Sequence, residues 1–491
     1  MTPPTSVYPE ILATFMVTNP SDEIKMLTTT SSTIPPIDTI FKLAYEQPEE
    51  LLPGGLKKSQ LDEKLILYST TSGRYGLLLA PRIDTPGTAP LRDFAAHLLL
   101  HGLETSHADH GGHDDTAALA HEVTSAFERL LLYDAFEGRG WTTGRNLFTK
   151  QVRYYTDNGI PIQMALPAFP CKTTNPEKAA SSMPDGAEYE ALANIHAFCV
   201  EIEKFYKPGC FINIVSDGHV FSDCQGTDDN VVEEYSNKLK EMVGTLQPAC
   251  NGGIRFYNLE QLLFPSEAAR ELYKRIPAEL MPPIDHPVKT SINPGNDEHR
   301  RLMLAVWGPP EEYYRDLIKS VPDHAITALY RGFSRFMFED LAYSPDYRNA
   351  TSSARKKAAE KVAFVMIQRN QTYSRLVEGV LPRHVRLSIH AHDNAGPKFA
   401  VRVLPWSYKA ADKVDDLVLA TAQNMTESSR STLHIPTPWH NTLIQICDGR
   451  GGHQSYICRA RLAVDGLENG VFEGGYIMDH TRGARYVLYQ K

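Results

Sequence analysis

The chain has 491 residues, with 50 Lys plus Arg against 59 Asp plus Glu, a net charge of −9 and a hydrophobic fraction of 42%. That length holds two or three domains' worth of core, and the acidic balance argues against a general nucleic-acid binder, which shows a basic face. No apolar run reaches the length of a membrane span, and Met1-Thr2-Pro3-Pro4-Thr5-Ser6 lacks the basic start and apolar core of a secretory signal. The seven cysteines form no Cys-x-x-Cys pair and are odd in number. They read as reduced thiols of a cytoplasmic protein, not as a disulfide framework or a zinc knuckle.

Residues 1–60 are rich in Pro, Thr and Ser and read as loosely ordered, with one helix over 37–45. Residues 61–105 mix short apolar runs with turns, as a small α+β cap would. The polar break at 107–115 sets a boundary between an N-terminal extension, 1–114, and a main domain, 115–491. His107, His110 and His113 in that break are spaced like metal ligands but lack a supporting strand or helix, so adventitious binding is the reading there.

Helical spacing runs from 115 to 132. Ile160-Pro161-Ile162-Gln163-Met164-Ala165-Leu166 reads as a strand, followed by a long loop, 167–184. A helix then opens at Asp185, with Glu188 at capping-box spacing. Its buried stripe is Leu192, Ile195, Cys199, Ile202 and Tyr206, and Lys207-Pro208-Gly209 ends it. A second strand, 210–215, runs into a polar turn, 216–226, where Gly218 permits a tight reversal. The next helix carries Val232, Tyr235, Leu239, Met242 and Leu246 on one face.

Strand, helix, strand at this spacing implies parallel strands joined by a right-handed crossover. Loop 167–184 and turn 216–226 then leave the same sheet edge, where open α/β sheets build their sites. Residues 266–380 read as mainly helical. Beyond His384 the pattern is β-rich, with strands expected at 385–390, 399–404, 442–447 and 456–463 and a hairpin pairing 476–478 with 485–489. The fold class expected is α/β: a Rossmann-like parallel-sheet core with a helical middle segment, a β-rich C-terminal part and the N-terminal extension.

Several residues suit chemistry. Asp217, His219 and Asp223 put two carboxylates beside an imidazole, which suits acid–base work near neutral pH; an Asx-turn is the plain alternative. Lys172 and Lys178 in the proline-rich loop suit an anionic group, or one serves as a base if desolvation lowers its pKa. For Asp185 and Glu188 a helix N-cap explains both residues without any chemistry. Arg331, on a predicted helix, has the fork geometry for a carboxylate or phosphate. Arg386, Ser388 and His390 alternate along one strand and so share a face. His440 follows the turn Thr437-Pro438-Trp439. Phosphate-binding, nucleophile-elbow, zinc-protease and dinucleotide signatures are all absent.

Six segments occur in one order: Leu166-Pro167-Ala168-Phe169-Pro170-Cys171-Lys172, Met183-Pro184-Asp185-Gly186-Ala187-Glu188, the stretch 216–223, Tyr330-Arg331-Gly332-Phe333, Arg386-Leu387-Ser388-Ile389-His390 and Thr437-Pro438-Trp439-His440. Together they resemble the dityrosine/pyoverdine-biosynthesis family, which includes the isocyanide (isonitrile) synthases. The resemblance runs from about residue 115 to the end, so the first hundred or so residues look like an addition to the smaller bacterial form.

The resemblance implies a reaction without metal, nucleotide or other cofactor. The α-amino group of an amino acid of valine, tyrosine or tryptophan type condenses with the ketone of ribulose 5-phosphate. Phosphate is lost and carbon–carbon cleavage leaves one sugar carbon as the isocyanide carbon. Asp217, His219, Asp223, Lys172 and His440 are then expected to be catalytic. Lys178, Glu188, Arg331, Arg386, Ser388 and His390 are expected to bind substrate. Asp217→Asn and Lys172→Met are both expected to abolish turnover with the fold intact. Other relatives yield an N-formyl amino acid, and a non-catalytic metabolite-binding protein on the same fold is a third reading. The chain ends in the hairpin around 480–483, so any oxidation of the product is expected to need a separate oxygenase; no nucleic-acid or membrane partner is expected.

Overall fold

The computed structural model describes residues 116–491 apart from 135–139, 309–310, 321–324, 382–383, 391–393, 397, 418–422, 425–435 and 448–451. Before residue 116 it describes three strands and part of a helical stretch between 90 and 101. The His107, His110, His113 cluster and the helix expected over 37–45 lie outside the described residues. Among the described residues no helix is long and apolar enough to cross a membrane, and all seven cysteines are free thiols.

Five parallel strands form the central sheet: β1 (Ile162–Pro167), β2 (Cys210–Val215), β3 (Gly253–Tyr257), β4 (Val385–Ser388) and β5 (Lys398–Ala400), in the order β3-β2-β1-β4-β5. β1 and β2 pair in parallel from Ile162↔Cys210 to Pro167↔Val215, as the crossover predicts. Alternation along β1 assigns its faces. Ile162, Met164 and Leu166 join Ile212 and Ile214 of β2 in a core under α1 (Thr116–Leu130), α2 (Trp141–Asp157) and α3 (Gly186–Phe205). Ala165 and Val215 enter a second core.

The residues following β2 form two helices, α4 (Gly218–Gln225) and α5 (Asp229–Gly244). The second core is built by the middle helices, among them α6 (Pro294–Trp307), α7 (Ala325–Asp340) and α8 (Ser352–Val380). Leu91, Phe94, Ala95 and Leu98 pack into this same core.

The C-terminal part is a six-stranded mixed sheet. Its order is Gln423–Asn424, Lys409–Ala410, His453–Cys458, Thr442–Cys447, Arg485–Gln490 and Phe472–Ile477. The strand expected over 442–447 is found there. The one expected over 456–463 instead ends at Cys458, and Ala460–Glu468 is an amphipathic helix with Leu462 and Ala463 buried. The polar stretch 216–226 also departs from the turn expected of it. Eight of its residues are α4, which Gly226 closes in the left-handed region at φ 72°. Gly218 is required for space, not for reversal: a Cβ there would lie 2.1 Å from the carbonyl oxygen of Pro170.

Candidate active site at the carboxyl edge of the sheet

The chain moves from β1 outward through β2 and β3 on one side, and β4 and β5 take the other. The point where the order reverses, at the carboxyl ends of β1 and β4, is where open α/β sheets leave a crevice. A cleft of about 520 Å³ of empty space, part of it open to solvent, lies there. Ala168 and Pro170 enter it after β1, Asp217 after β2, and Ile389 and His390 after β4. α4 adds Phe221 and Gln225, α7 adds Phe333 and Phe336, and α8 adds Met366 and Asn370. The turn at 437–440 closes the cleft with Trp439 and His440. Phe221, Phe333, Phe336 and Trp439 give it aromatic walls, and Asp217, Gln225, Asn370, His390 and His440 supply its polar groups.

Asp217 is the titratable carboxyl among these residues. It is the N-cap of α4, yet its side chain makes no capping bond. Its Oδ1 is buried and has no hydrogen-bond partner among the described residues. Burial pushes the carboxyl up to about 7, against its own backbone N–H and the Arg386 guanidinium, which favour the anion. Arg386 Nη1 donates to the Leu387 carbonyl at 3.0 Å, and its Nε is buried with no hydrogen-bond partner among the described residues. A carboxyl poised near neutrality, with a free oxygen, can take up and return a proton.

The raised value has a consequence for stability. The folded carboxyl keeps its proton up to about pH 7, while the unfolded one releases it near the ordinary carboxylate value. Across that window the folded state holds more protons, so this group's contribution falls as pH rises. Asp217→Asn is expected to melt above the wild type at pH 8, with the difference shrinking as pH is lowered towards 4. Scanning calorimetry at both pH values tests this, and a difference that does not change with pH would contradict it.

α4 is gripped from behind by two buried arginines. Arg369 of α8 pairs with both oxygens of Asp223, the Nη2–Oδ2 contact being 2.9 Å, and Nη1 donates to the Val220 carbonyl at 2.9 Å. Arg300 of α6 donates to the His219 carbonyl, to Ser222 Oγ at 2.7 Å and to Asp229 Oδ1 at 2.6 Å.

The expected site residues therefore divide. Asp217, His390 and His440 line the cleft, and the charge of Arg386 acts on Asp217 without an ion pair between them. His440 packs edge-on to Phe336 at 4.7 Å, with Nδ1 3.3 Å from Thr437 Oγ1. Ser388 is buried, and its Oγ accepts from the His390 backbone N–H at 3.2 Å. β4 ends at Ser388 and the chain bends at Ile389, so the simple alternation expected of Arg386, Ser388 and His390 does not persist.

The other expected residues are not in the cleft. His219 points off the far side of α4, Nε2 3.4 Å from the Asp229 carbonyl, and burial lowers its pKa. Asp223 is fully buried; although burial alone would raise its pKa, Arg369 and His286 hold it far below the usual carboxylate range. Lys172 is fully buried between Asp185 (3.0 Å) and Glu188 (2.7 Å) and donates to the Pro438 carbonyl at 2.9 Å. Burial opposes its charge, but the two carboxylates raise its pKa, and burial pushes Glu188 up to about 8. Glu188 also completes the capping box and accepts from Tyr235 at 3.2 Å. Lys178 pairs with Asp340 at 2.7 Å and lies over the Phe336 ring. Arg331 is exposed on α7, while Phe333 and Phe336 of the same helix face the cleft.

The helical reading of 266–380 holds for α8, but sequence reasoning missed that α8 brings Arg369, Asn370 and Tyr373 to the site. The helix's Gln368-Arg369-Asn370-Gln371-Thr372-Tyr373 interrupts an otherwise apolar run. A polar stretch in the middle of a 29-residue helix is a sign that one face meets polar neighbours.

The sequence profile of the family described as Pyoverdine/dityrosine biosynthesis protein matches residues 152–464. The chain belongs to this family. Every residue lining the cleft falls inside the matched span. Among relatives, the chain is 34% identical over 356 residues to the spore wall maturation protein DIT1 of Saccharomyces cerevisiae, covering 72% of this chain and 64% of that protein. It thus spans slightly less than two thirds of that relative. It is 28% identical over 285 residues to an L-tyrosine isonitrile synthase of Pseudomonas aeruginosa, covering 56% of this chain and 77% of that one. The crystal structure of PvcA from Pseudomonas aeruginosa superposes with a TM-score of 0.55 at 24% identity, covering 75% of this chain and 99% of that one, which shows a shared fold.

Proposed function

We propose that this family member is an isocyanide synthase. In this reading it converts the α-amino group of an amino acid to an isocyanide, with ribulose 5-phosphate as carbon donor. The observation that carries the reading is the Asp217 carboxyl, held near neutrality with a free oxygen in an aromatic cleft at the sheet's switch point. The isonitrile synthases among the relatives support it.

Condensation of an amine with a ketone expels water, and the enolisation that follows moves a proton from carbon. Asp217 supplies the acid and base for these transfers. His390 and His440 are the imidazoles within the same cleft. In this reading Arg386, the cation whose charge Asp217 feels, is assigned to the sugar phosphate or the amino-acid carboxylate. Lys172 and Lys178 are already ion-paired, so this reading gives them no phosphate contact. The aromatic walls exclude water from the imine.

A second reading is an N-formyl amino acid as product, the other outcome that the family resemblance implies; the relative of higher identity is not named an isonitrile synthase. In either case ribulose 5-phosphate is expected to disappear, with release of phosphate, only when an amino acid is present. Consumption of the sugar at the same rate without any amino acid would overturn both readings.

A further inference from the structure

We infer that Tyr373 and Arg369 of α8 are positioning residues that hold Asp217 in the cleft. The inference rests on the reading of Asp217 as the acid–base group. Met366, Arg369, Asn370 and Tyr373 are three, four and seven residues along one helix and so share a face. Met366 and Asn370 line the cleft. Their two neighbours grip the Asp217 segment on both sides. The Tyr373 hydroxyl donates to the Ser216 carbonyl at 3.0 Å, just before Asp217. Arg369 donates to the Val220 carbonyl and pairs with Asp223, just after it. Asp217 makes no capping bond of its own, so these contacts, together with Arg300 on the far side of α4 and the bonds of Ser216 to the Phe169 and Tyr257 carbonyls, set where its carboxyl stands.

The groups facing Asp217 are Arg386 from β4, Tyr373 from α8 and the buried Cys171 thiol from the loop after β1; His390 and His440 share its cleft. Tyr373 is buried and stays a neutral phenol, since burial and the Asp217 charge both raise its pKa. Tyr373→Phe therefore removes one hydrogen bond without changing charge or ring packing. The Ser216–Asp217 segment then relaxes towards solvent, and its carboxyl ionises at lower pH.

The test is a pH profile of amino-acid-dependent ribulose 5-phosphate consumption by the full chain. For Tyr373→Phe we expect kcat to fall about 10- to 100-fold, KM to stay within about twofold, and the acidic limb of the kcat profile to move to lower pH. Arg369→Lys keeps the charge but loses the two-pronged pairing and is expected to shift the limb in the same direction. Wild-type kcat and profile in both variants would overturn the inference, as would a loss of kcat that tracks a lowered Tm with the limb unmoved. Asp217→Asn, run alongside, separates the two claims. If it is inactive while Tyr373→Phe behaves as wild type, only the positioning role fails. If it retains full turnover, the acid–base reading falls and the inference falls with it.

Discussion

Asp217→Asn is expected to lower turnover by about 100-fold or more, with KM changed far less. The amide keeps the shape and the position at the start of α4 but can neither accept nor return a proton. Asp217 is also the carboxyl of the cleft with a free oxygen, so no neighbouring carboxyl is placed to replace it. The loss should not come from misfolding, because the substitution removes a buried ionisable group and leaves no partner unsatisfied. Steady-state kinetics with a melting curve on the same preparation checks both parts. Turnover close to wild type would remove Asp217 from the chemistry.

Lys172→Met is expected to destabilise the protein by about 3–5 kcal/mol, seen as a lower urea midpoint. From the sequence alone this substitution looks like loss of a catalytic cation with the fold intact. The structure reverses that expectation. The ammonium is sealed between Asp185 and Glu188 and holds the Pro438 carbonyl. Thr442 Oγ1 donates to the other oxygen of Asp185 at 3.1 Å. Removing the cation leaves two buried carboxylates against each other at the start of α3. Any loss of turnover then reflects a displaced Trp439–His440 segment. Lys172→Met combined with Glu188→Gln should recover part of the midpoint above about pH 8, where Glu188 would otherwise ionise beside Asp185. A single variant as stable as wild type would contradict this account of the network.

The sheet edge was legible because periodicity and crossover length act over short stretches of chain. The apolar run 210–215 and the capping box at Asp185 and Glu188 are local signals, and parallel pairing follows from them. Asp217, His390 and His440 meet in the cleft because they follow strand ends or a closing turn. The roles of Lys172, Lys178 and Asp223 were not legible, because a lone charged residue does not reveal its partner. Asp223 is paired by Arg369, 146 positions away, and Lys178 by Asp340, 162 positions away. Arg331 carries a motif match, but a one-residue difference in helical phase decides which side of α7 faces the cleft, and there Phe333 and Phe336 win. The reading of 216–226 as a turn failed for a related reason. Its polar residues serve buried arginines, so polarity marked a buried network where it suggested a loop.

The proposed reaction, an isocyanide made from an amino acid and ribulose 5-phosphate, can be tested directly. The purified protein, incubated with ribulose 5-phosphate and each of the twenty amino acids in turn, should be trapped with a tetrazine and read by mass spectrometry. A tetrazine adduct is expected with at least one amino acid, and none when Asp217→Asn replaces the wild type. N-formyl product without adduct would favour the second reading. Untouched sugar phosphate with every amino acid would contradict the account.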